Sequence, residues 1–322
     1  MSSSRQNRPD MASTSAHLPF RSPLHTRTVP GARPSARRGR LILGLALSSS
    51  IGLLAYRRRS LTRSGAAGAV ATGTTIFGLG GWSWGLTLIY FFASSTLLSH
   101  FREKEKASTA ADKFSKGAQR DIAQVAANGG LASCYAALAG TTRTESFQQT
   151  LQAGFAGALA TATADTWATE IGVLSPHKPR LLTTGQPVAP GTSGGITLPG
   201  SIASALGAFT LGLVFWISQG FHKSLATLPF ISLVSGTAGS LCDSLLGATV
   251  QAMYFCPTCR CETERRVHVC GTPTQLSRGL YLCNNDVINF LATLIGSLTA
   301  MLLHIVLKLF RLRREKKVLT GL

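Results

Sequence analysis

Residues 64–99 read SGAAGAVATGTTIFGLGGWSWGLTLIYFFASSTLLS, thirty-six positions between Arg63 and His100 without a charged side chain. A helix rises about 1.5 Å per residue and the hydrocarbon layer is about 30 Å thick, so this stretch is long enough for two membrane crossings. Gly80-Gly81, near its middle, supplies the hinge. Working outward, further apolar stretches fall at 41–56, 122–140, 149–172, 196–218, 226–252 and 287–307. The expected fold is all-α: a polytopic transmembrane helical bundle of about 7–8 spans. The 41–56 segment is short and basic on both sides, and could lie in the interface instead.

Composition agrees with that reading. The chain has 322 residues, 45% hydrophobic and 14% charged, with a mean hydropathy of +0.20, too apolar and charge-poor for an ordinary soluble domain. Its net charge of +19 sits mainly at the ends: residues 1–63 hold twelve Arg and one acid, and residues 308–317 hold six Lys/Arg and one acid. These charges flank apolar runs instead of alternating with aromatic side chains, which favours the membrane surface and argues against a nucleic-acid partner.

Residues 1–40 are rich in Ser, Pro and Arg without apolar periodicity, and read as a disordered basic N-terminal segment. An organellar transit peptide has the same composition. Residues 41–310 form the membrane domain and 311–322 a basic C-terminal tail. The Lys/Arg-bearing loops near Arg57 to Arg63, Arg102 to Arg120, Lys178 to Arg180 and Arg260 to Arg266 fall on one side, taken as cytoplasmic. The basic tail then falls on the other side, which suggests a miscounted span. Oligomeric state is not legible in the sequence.

Polar residues within apolar stretches are the functional candidates, because an ionised carboxylate in a span costs several kcal/mol unless paired, hydrated or bound to a cation. Asp165 and Glu170 lie near the end of 149–172, and Asp165 stacks with Thr161 and Thr169 at four-residue spacing. Glu170 is about 140° round the helix from Asp165, so the two do not share a ligand on an unfrayed helix. Asp243-Ser244 lies in 226–252, and Asn284-Asn285-Asp286 with Asn289 opens 287–307, where helix capping is the plainer reading. Between them, Lys178, Arg180 and the glycine-rich Gly191-Thr192-Ser193-Gly194-Gly195 could form an anion site, or simply a flexible interhelical loop. No G-x-x-x-x-G-K-[ST] and no G-x-G-x-x-G sequence occurs.

The loop 253–285 is cysteine-rich. Cys256-Pro-Thr-Cys259 has the C-x-x-C spacing of a zinc knuckle, and His268 and Cys270 could complete a tetrahedral site. Cys261 or Cys283 could substitute. A redox pair or unliganded thiols are the competing readings.

Seven stretches, in order over about residues 66–307, carry a family resemblance: Phe92-Ala-Ser-Ser95; Gly117-Ala-Gln-Arg120-Asp121 with Gln124 and Asn128-Gly129; Ala164-Asp165-Thr166-Trp167-Ala-Thr-Glu170-Ile-Gly172; Pro179-Arg180-Leu-Leu-Thr183-Thr184; Gly191-Thr192-Ser193-Gly194-Gly195; Asp243-Ser244-Leu-Leu-Gly247-Ala-Thr-Val-Gln251; and Asn284-Asn285-Asp286-Val-Ile-Asn289. With these the chain resembles the DUF92 family, which includes transmembrane protein 19 and the phytyl-phosphate kinases of tocopherol synthesis. The Cys256 to Cys270 segment lies outside the kinase pattern.

The resemblance implies an integral, multi-pass membrane protein. On the kinase branch it implies an isoprenoid-monophosphate kinase using a nucleoside triphosphate and Mg²⁺. Asp165, Asp243 and Asp286 would then hold Mg²⁺, with Glu170 and Asn285 as secondary ligands or orienting groups. Arg120, Lys178 and Arg180 would hold phosphate oxygens together with amides at Gly191, Gly194 and Gly195, with Asn128 and Asn289 nearby. The alternatives are a carrier or channel with an intramembrane acidic cation site, and a non-catalytic membrane adaptor that binds partners through the zinc loop.

Overall fold

The computed structural model describes residues 34–110 and 119–320. Residues 1–33 of the expected disordered segment, Gly117-Ala118 of one family stretch, and residues 321–322 of the expected tail lie outside the described residues. The helices are α1 (Pro34–Arg57), α2 (Arg63–Thr75), α3 (Trp82–His100), α4 (Glu103–Ala110), α5 (Ile122–Thr141), α6 (Glu145–Gly172), α7 (Leu198–Ser218), α8 (Leu228–Thr249) and α9 (Asn285–Thr320).

The hinge read at Gly80-Gly81 is present. A π turn over Ile76–Gly80 carries α2 on, and Gly81, at φ +97°, reverses the chain into α3. Glycine tolerates this conformation because it has no Cβ to collide with the backbone.

Helix boundaries correct two expectations. Helix α1 begins at Pro34, so residues 34–40 are helical and not disordered. Proline suits the first turn of a helix, and the Arg40 side chain reaches the α2–α3 hinge at Gly81. Likewise 311–320 is no separate tail, because α9 continues to Thr320 through Leu, Arg, Glu and Lys, all good helix formers.

The all-α expectation also needs amending, since two small antiparallel sheets are present. Strands β1 (Arg180–Leu181) and β2 (Gly195–Ile196) pair Arg180 with Ile196. Strands β3 (Met253–Cys256), β4 (Cys261–Thr263) and β5 (Gln275–Arg278) form a sheet ordered β4-β3-β5. Both lie in long loops, where helical periodicity is lost.

The long helices alternate in direction. Thr62 N–H donates to Arg120 O, Ser99 Oγ donates to Glu170, and Thr293 Oγ1 donates to Ala127 O. The ends of α3 and α6 therefore meet the starts of α2, α5 and α9 at one end of the bundle. At the other end Ser83 donates to Ser218 O, and Lys308 donates to Ser146. Both described chain ends lie at that second end. The eight long helices among the described residues thus leave the basic tail opposite the four basic loops, and basic residues flank both ends of the bundle.

Helix α6 is the central one, packed against α5, α7, α8 and α9. Residues 153–164 of it are buried without interruption, which its Ala, Gly and Thr composition permits. A Cβ on Gly157 would lie 2.5 Å from Ala300 Cβ of α9, and one on Gly236 would lie 2.7 Å from Ala208 of α7. Small residues let these backbones approach closely, which is how helices associate where lipid supplies no hydrophobic drive. Among the described residues, four stretches are long and apolar enough to cross a membrane by length and composition: Ser35–Arg57, Leu198–Ser218, Lys223–Thr249 and Asn285–Glu315.

Candidate functional site

Helices α6 and α8 run the same way, and each carries an Asp about two turns before its end. Asp165 and Asp243 line one polar cavity of about 270 Å³ between the helices. Ser204 of α7, Thr237 and Ser240 of α8, and Asn285 and Asn289 of α9 complete much of its wall. The Ser240 hydroxyl hydrogen-bonds the Asp165 carboxylate, and Asp243 lies in the electrostatic field of Asp165 and Glu264.

Several buried polar atoms of this wall, Asp243 Oδ2, Ser204 Oγ and Thr237 Oγ1, find no hydrogen-bond partner among the described residues. Leaving such a group dry and unpaired is costly, so these are the atoms that a cation, a polar ligand or water would satisfy. Carboxylate and amide oxygens are the donors that Mg²⁺ prefers.

The glycine-rich loop closes the cavity. Gly191, Gly194 and Gly195 line it, with Gly191 at φ +77° and Gly194 at φ +84°. A Cβ on Gly194 would come within 2.5 Å of Ala248 Cβ and 2.7 Å of Ser244 O, so only glycine lets the loop lie on α8.

The other expected residues divide. Asn128 lines the cavity and donates to Gln124 O. Asp286 is not among the lining residues although Asn285 and Asn289 are, and Asn284 Oδ1 serves as a plain helix cap for Val287 N–H. Lys178 and Arg180 are exposed and do not line the cavity; the Arg180 guanidinium donates to Gly185 O within its own loop.

Glu170 lines the cavity but is already engaged. Its carboxylate accepts from Lys106 Nζ and, at 2.6 Å, from Ser99 Oγ. Arg120 lies beside this group, donating to Ser99 Oγ at 3.5 Å. Burial lowers the Arg120 guanidinium pKa and the Glu170 charge opposes that shift. Lys106 and Arg120 thus both interact with the Glu170 carboxylate.

Arg120 also borders an apolar groove between α1, α2, α3 and α5, lined by Leu47, Ile51, Phe77, Leu88 and Phe92. Groove and cavity share Gln124 and Asn128. A fatty chain in the groove would thus have its head beside the polar cavity.

The cysteine ribbon supplies two further features. Cys256, Cys259, His268 and Cys270 bring their ligand atoms within 4.8 Å of one another, an arrangement able to hold a metal ion. His268 Nδ1 faces Cys270 Sγ at 3.1 Å while Nε2 faces Cys261 Sγ at 3.5 Å, so Cys261 orients the histidine from outside the cluster. Cys283 is not among the four. Hydrogen bonding with Thr272 and His268 lowers the Cys270 thiol to about 6, whereas a hydrogen bond with Cys270 pushes Cys259 up to about 12. The thiols share protons that a bound metal would displace.

The second feature was missed in the sequence: Glu264, just past β4, lines the cavity. It accepts from Gln251 at 2.8 Å and from Ser193 at 3.2 Å. Arg278 of β5 fastens the ribbon to the end of α8, donating to Gly247 O and Ala248 O at 2.9 and 2.8 Å.

A family model described as integral membrane protein DUF92 matches residues 46–297. The chain belongs to this family. The matched region takes in α2 through α8, the second half of α1 and the first part of α9, and so every cavity residue named above. The DUF92 chain is 33% identical to Protein PGR of Arabidopsis thaliana over 277 residues, 80% of this chain and 94% of that protein. It is 29% identical to an uncharacterised membrane protein of Methanocaldococcus jannaschii, over 82% of this chain and 94% of the other. A third relative, an uncharacterised membrane protein of Synechocystis, is 29% identical over 60% of this chain and 73% of its own length. No solved structure matches. Family membership and the apolar helices make this DUF92 chain a multi-pass integral membrane protein.

Proposed function

We propose that this DUF92 protein is an intramembrane phosphotransferase converting an isoprenoid monophosphate, phytyl or a longer polyprenyl, to the diphosphate with a nucleoside triphosphate and Mg²⁺. One observation carries the proposal: Asp165 and Asp243, from separate helices, line the same polar cavity near one end of the bundle. A carrier would place its acid near the membrane midplane with access from both sides. Asp165 instead lies well past the middle of the 28-residue α6.

In this reading all eight long helices cross the membrane, and the cavity opens to the cytosol, where nucleotides are available. Asp165 and Asp243 hold Mg²⁺ with help from Asn285 and Asn289, and Glu264 takes the place expected of Asp286. The ion supplies charge neutralisation during phosphoryl transfer. The amides of Gly191 to Gly195 receive nucleotide phosphate oxygens, and Arg120 with Asn128 receives the lipid phosphate at the mouth of the apolar groove. An oxygen of the lipid phosphate attacks the γ-phosphorus, and the bond to the nucleoside diphosphate breaks. Glu170 positions Lys106 and Arg120. Zn²⁺ in the ribbon fixes the loop that carries Glu264.

The test uses purified protein in detergent with Mg²⁺, γ-labelled nucleotides, and phytyl or farnesyl phosphate. Label in a prenyl diphosphate supports the proposal. No product from any pairing, with fold and ribbon metal intact, contradicts it.

A further inference from the structure

The end of the bundle opposite the Asp165 cavity holds a second pocket, of about 130 Å³. His304, Lys308 and Arg311 of α9 line it, and their i, i+4, i+7 spacing puts them on one helix face. Gln149 of α6, with Ser224 and Thr227 of the α7–α8 connection, closes the other side. We propose that this pocket binds the phosphate headgroup of an anionic membrane phospholipid, at a site separate from the Asp165 cavity and independent of the kinase reading.

Position comes first. From Asn285 to His304 the helix climbs about 29 Å, close to the ~30 Å of a hydrocarbon layer. The pocket therefore sits at the far boundary between lipid and water, where headgroups lie.

The polar groups are those a phosphate needs. His304 is 4% exposed, and its Nε2 is buried with no hydrogen-bond partner among the described residues. Lys308 donates to Ser146 at 2.7 Å, which steadies its ammonium at the rim. Among the described residues neither Lys308 nor Arg311 forms an ion pair with a carboxylate, Glu315 one turn beyond Arg311 included. Glu145 is instead bound by the Gln149 amide, which also donates to Ser224. Two cations without an ion-pair partner among the described residues, beside a buried imidazole, match one phosphodiester.

The lipid source is favoured over free phosphate by the surroundings. On the bilayer side of His304, Leu298 and Leu302 present exposed apolar surface on α9. Leu307 and Leu312 line the pocket itself. Acyl chains therefore find an apolar bed on the helix that holds the headgroup.

The experiment is native mass spectrometry of the full chain in detergent with dioleoyl phosphatidylglycerol, dioleoyl phosphatidylcholine or inorganic phosphate. The expected result is retained phosphatidylglycerol at least tenfold above phosphatidylcholine. That preference should be lost in Lys308→Gln/Arg311→Gln and restored in Lys308→Arg/Arg311→Lys. Arg313→Gln/Arg314→Gln controls for diffuse charge and should keep the lipid. Equal loss in that control would overturn the pocket, as would equal retention of the two lipids. Retention of inorganic phosphate without preference for the lipid would assign the site to a soluble anion and overturn the lipid proposal. A double variant that fails to fold is replaced by Arg311→Gln alone, whose side chain is exposed; unchanged lipid preference there would also count against the site.

Discussion

Gln251, two residues beyond the end of α8, donates a 2.8 Å hydrogen bond to Glu264 of the cysteine ribbon. Gln251 is fully buried, so this bond ties the ribbon to the wall that Asp243 lines. A loop that could have hung free in solvent is instead part of the cavity.

Metal removal should therefore act at a distance. Purified wild-type protein should contain one zinc ion per chain, falling to near zero in Cys256→Ser, by metal analysis. Glu264→Gln should keep its zinc yet lose about tenfold in activity, a size typical of supporting groups around a site. Equal, near-zero zinc in wild type and Cys256→Ser would end the zinc assignment, and full activity of Glu264→Gln would detach the ribbon from the chemistry.

Gly157→Leu tests the small-residue packing of α6 on α9. Its first added carbon meets Ala300 Cβ at 2.5 Å and Gly296 O at 2.7 Å, neither able to swing away. Overpacking of this kind costs about 1–3 kcal/mol, so the thermal midpoint in detergent should fall by several degrees. An unchanged midpoint would mean that the two helices are not in this contact.

The Lys106–Glu170 pair predicts a non-additive result. Removing one partner of a buried pair costs about 3–5 kcal/mol, but these side chains are 10% and 21% exposed, so about 2 kcal/mol is expected for Glu170→Gln. The double variant Lys106→Met/Glu170→Gln should lose less than the two single variants summed, because no unpaired ammonium remains. Strict additivity in a double-mutant cycle would show that the pair is not coupled.

How much of this was legible in the sequence depends on how local each signal is. The seven apolar stretches are local; six return as one helix each and 64–99 as the pair α2 and α3, and the hinge at Gly80-Gly81 is equally local. Asp165 and Asp243 stood out because a carboxylate amid Ala, Gly and Leu has no plain structural use. Lys178 and Arg180 looked like phosphate ligands by being near the glycine-rich loop in sequence, but strands β1 and β2 turn them outward. Glu264 gave no such signal. It sits beside Arg265 and Arg266 and reads as solvent-exposed, and only the fold of the ribbon over α8 brings it to Asp243. Its acidic type within a cysteine loop adjoining the Asp243 helix was the one clue available.

The account rests on Asp165 and Asp243 sharing a divalent cation. Mn²⁺ substituted for Mg²⁺ can be counted by electron paramagnetic resonance on purified protein, wild type beside Asp165→Asn and Asp243→Asn, with folding checked by thermal midpoint. The account predicts one tightly bound Mn²⁺ per wild-type chain and at least tenfold weaker binding in each variant. Folded wild-type protein that binds no Mn²⁺, or variants that bind it as tightly as wild type, would contradict it.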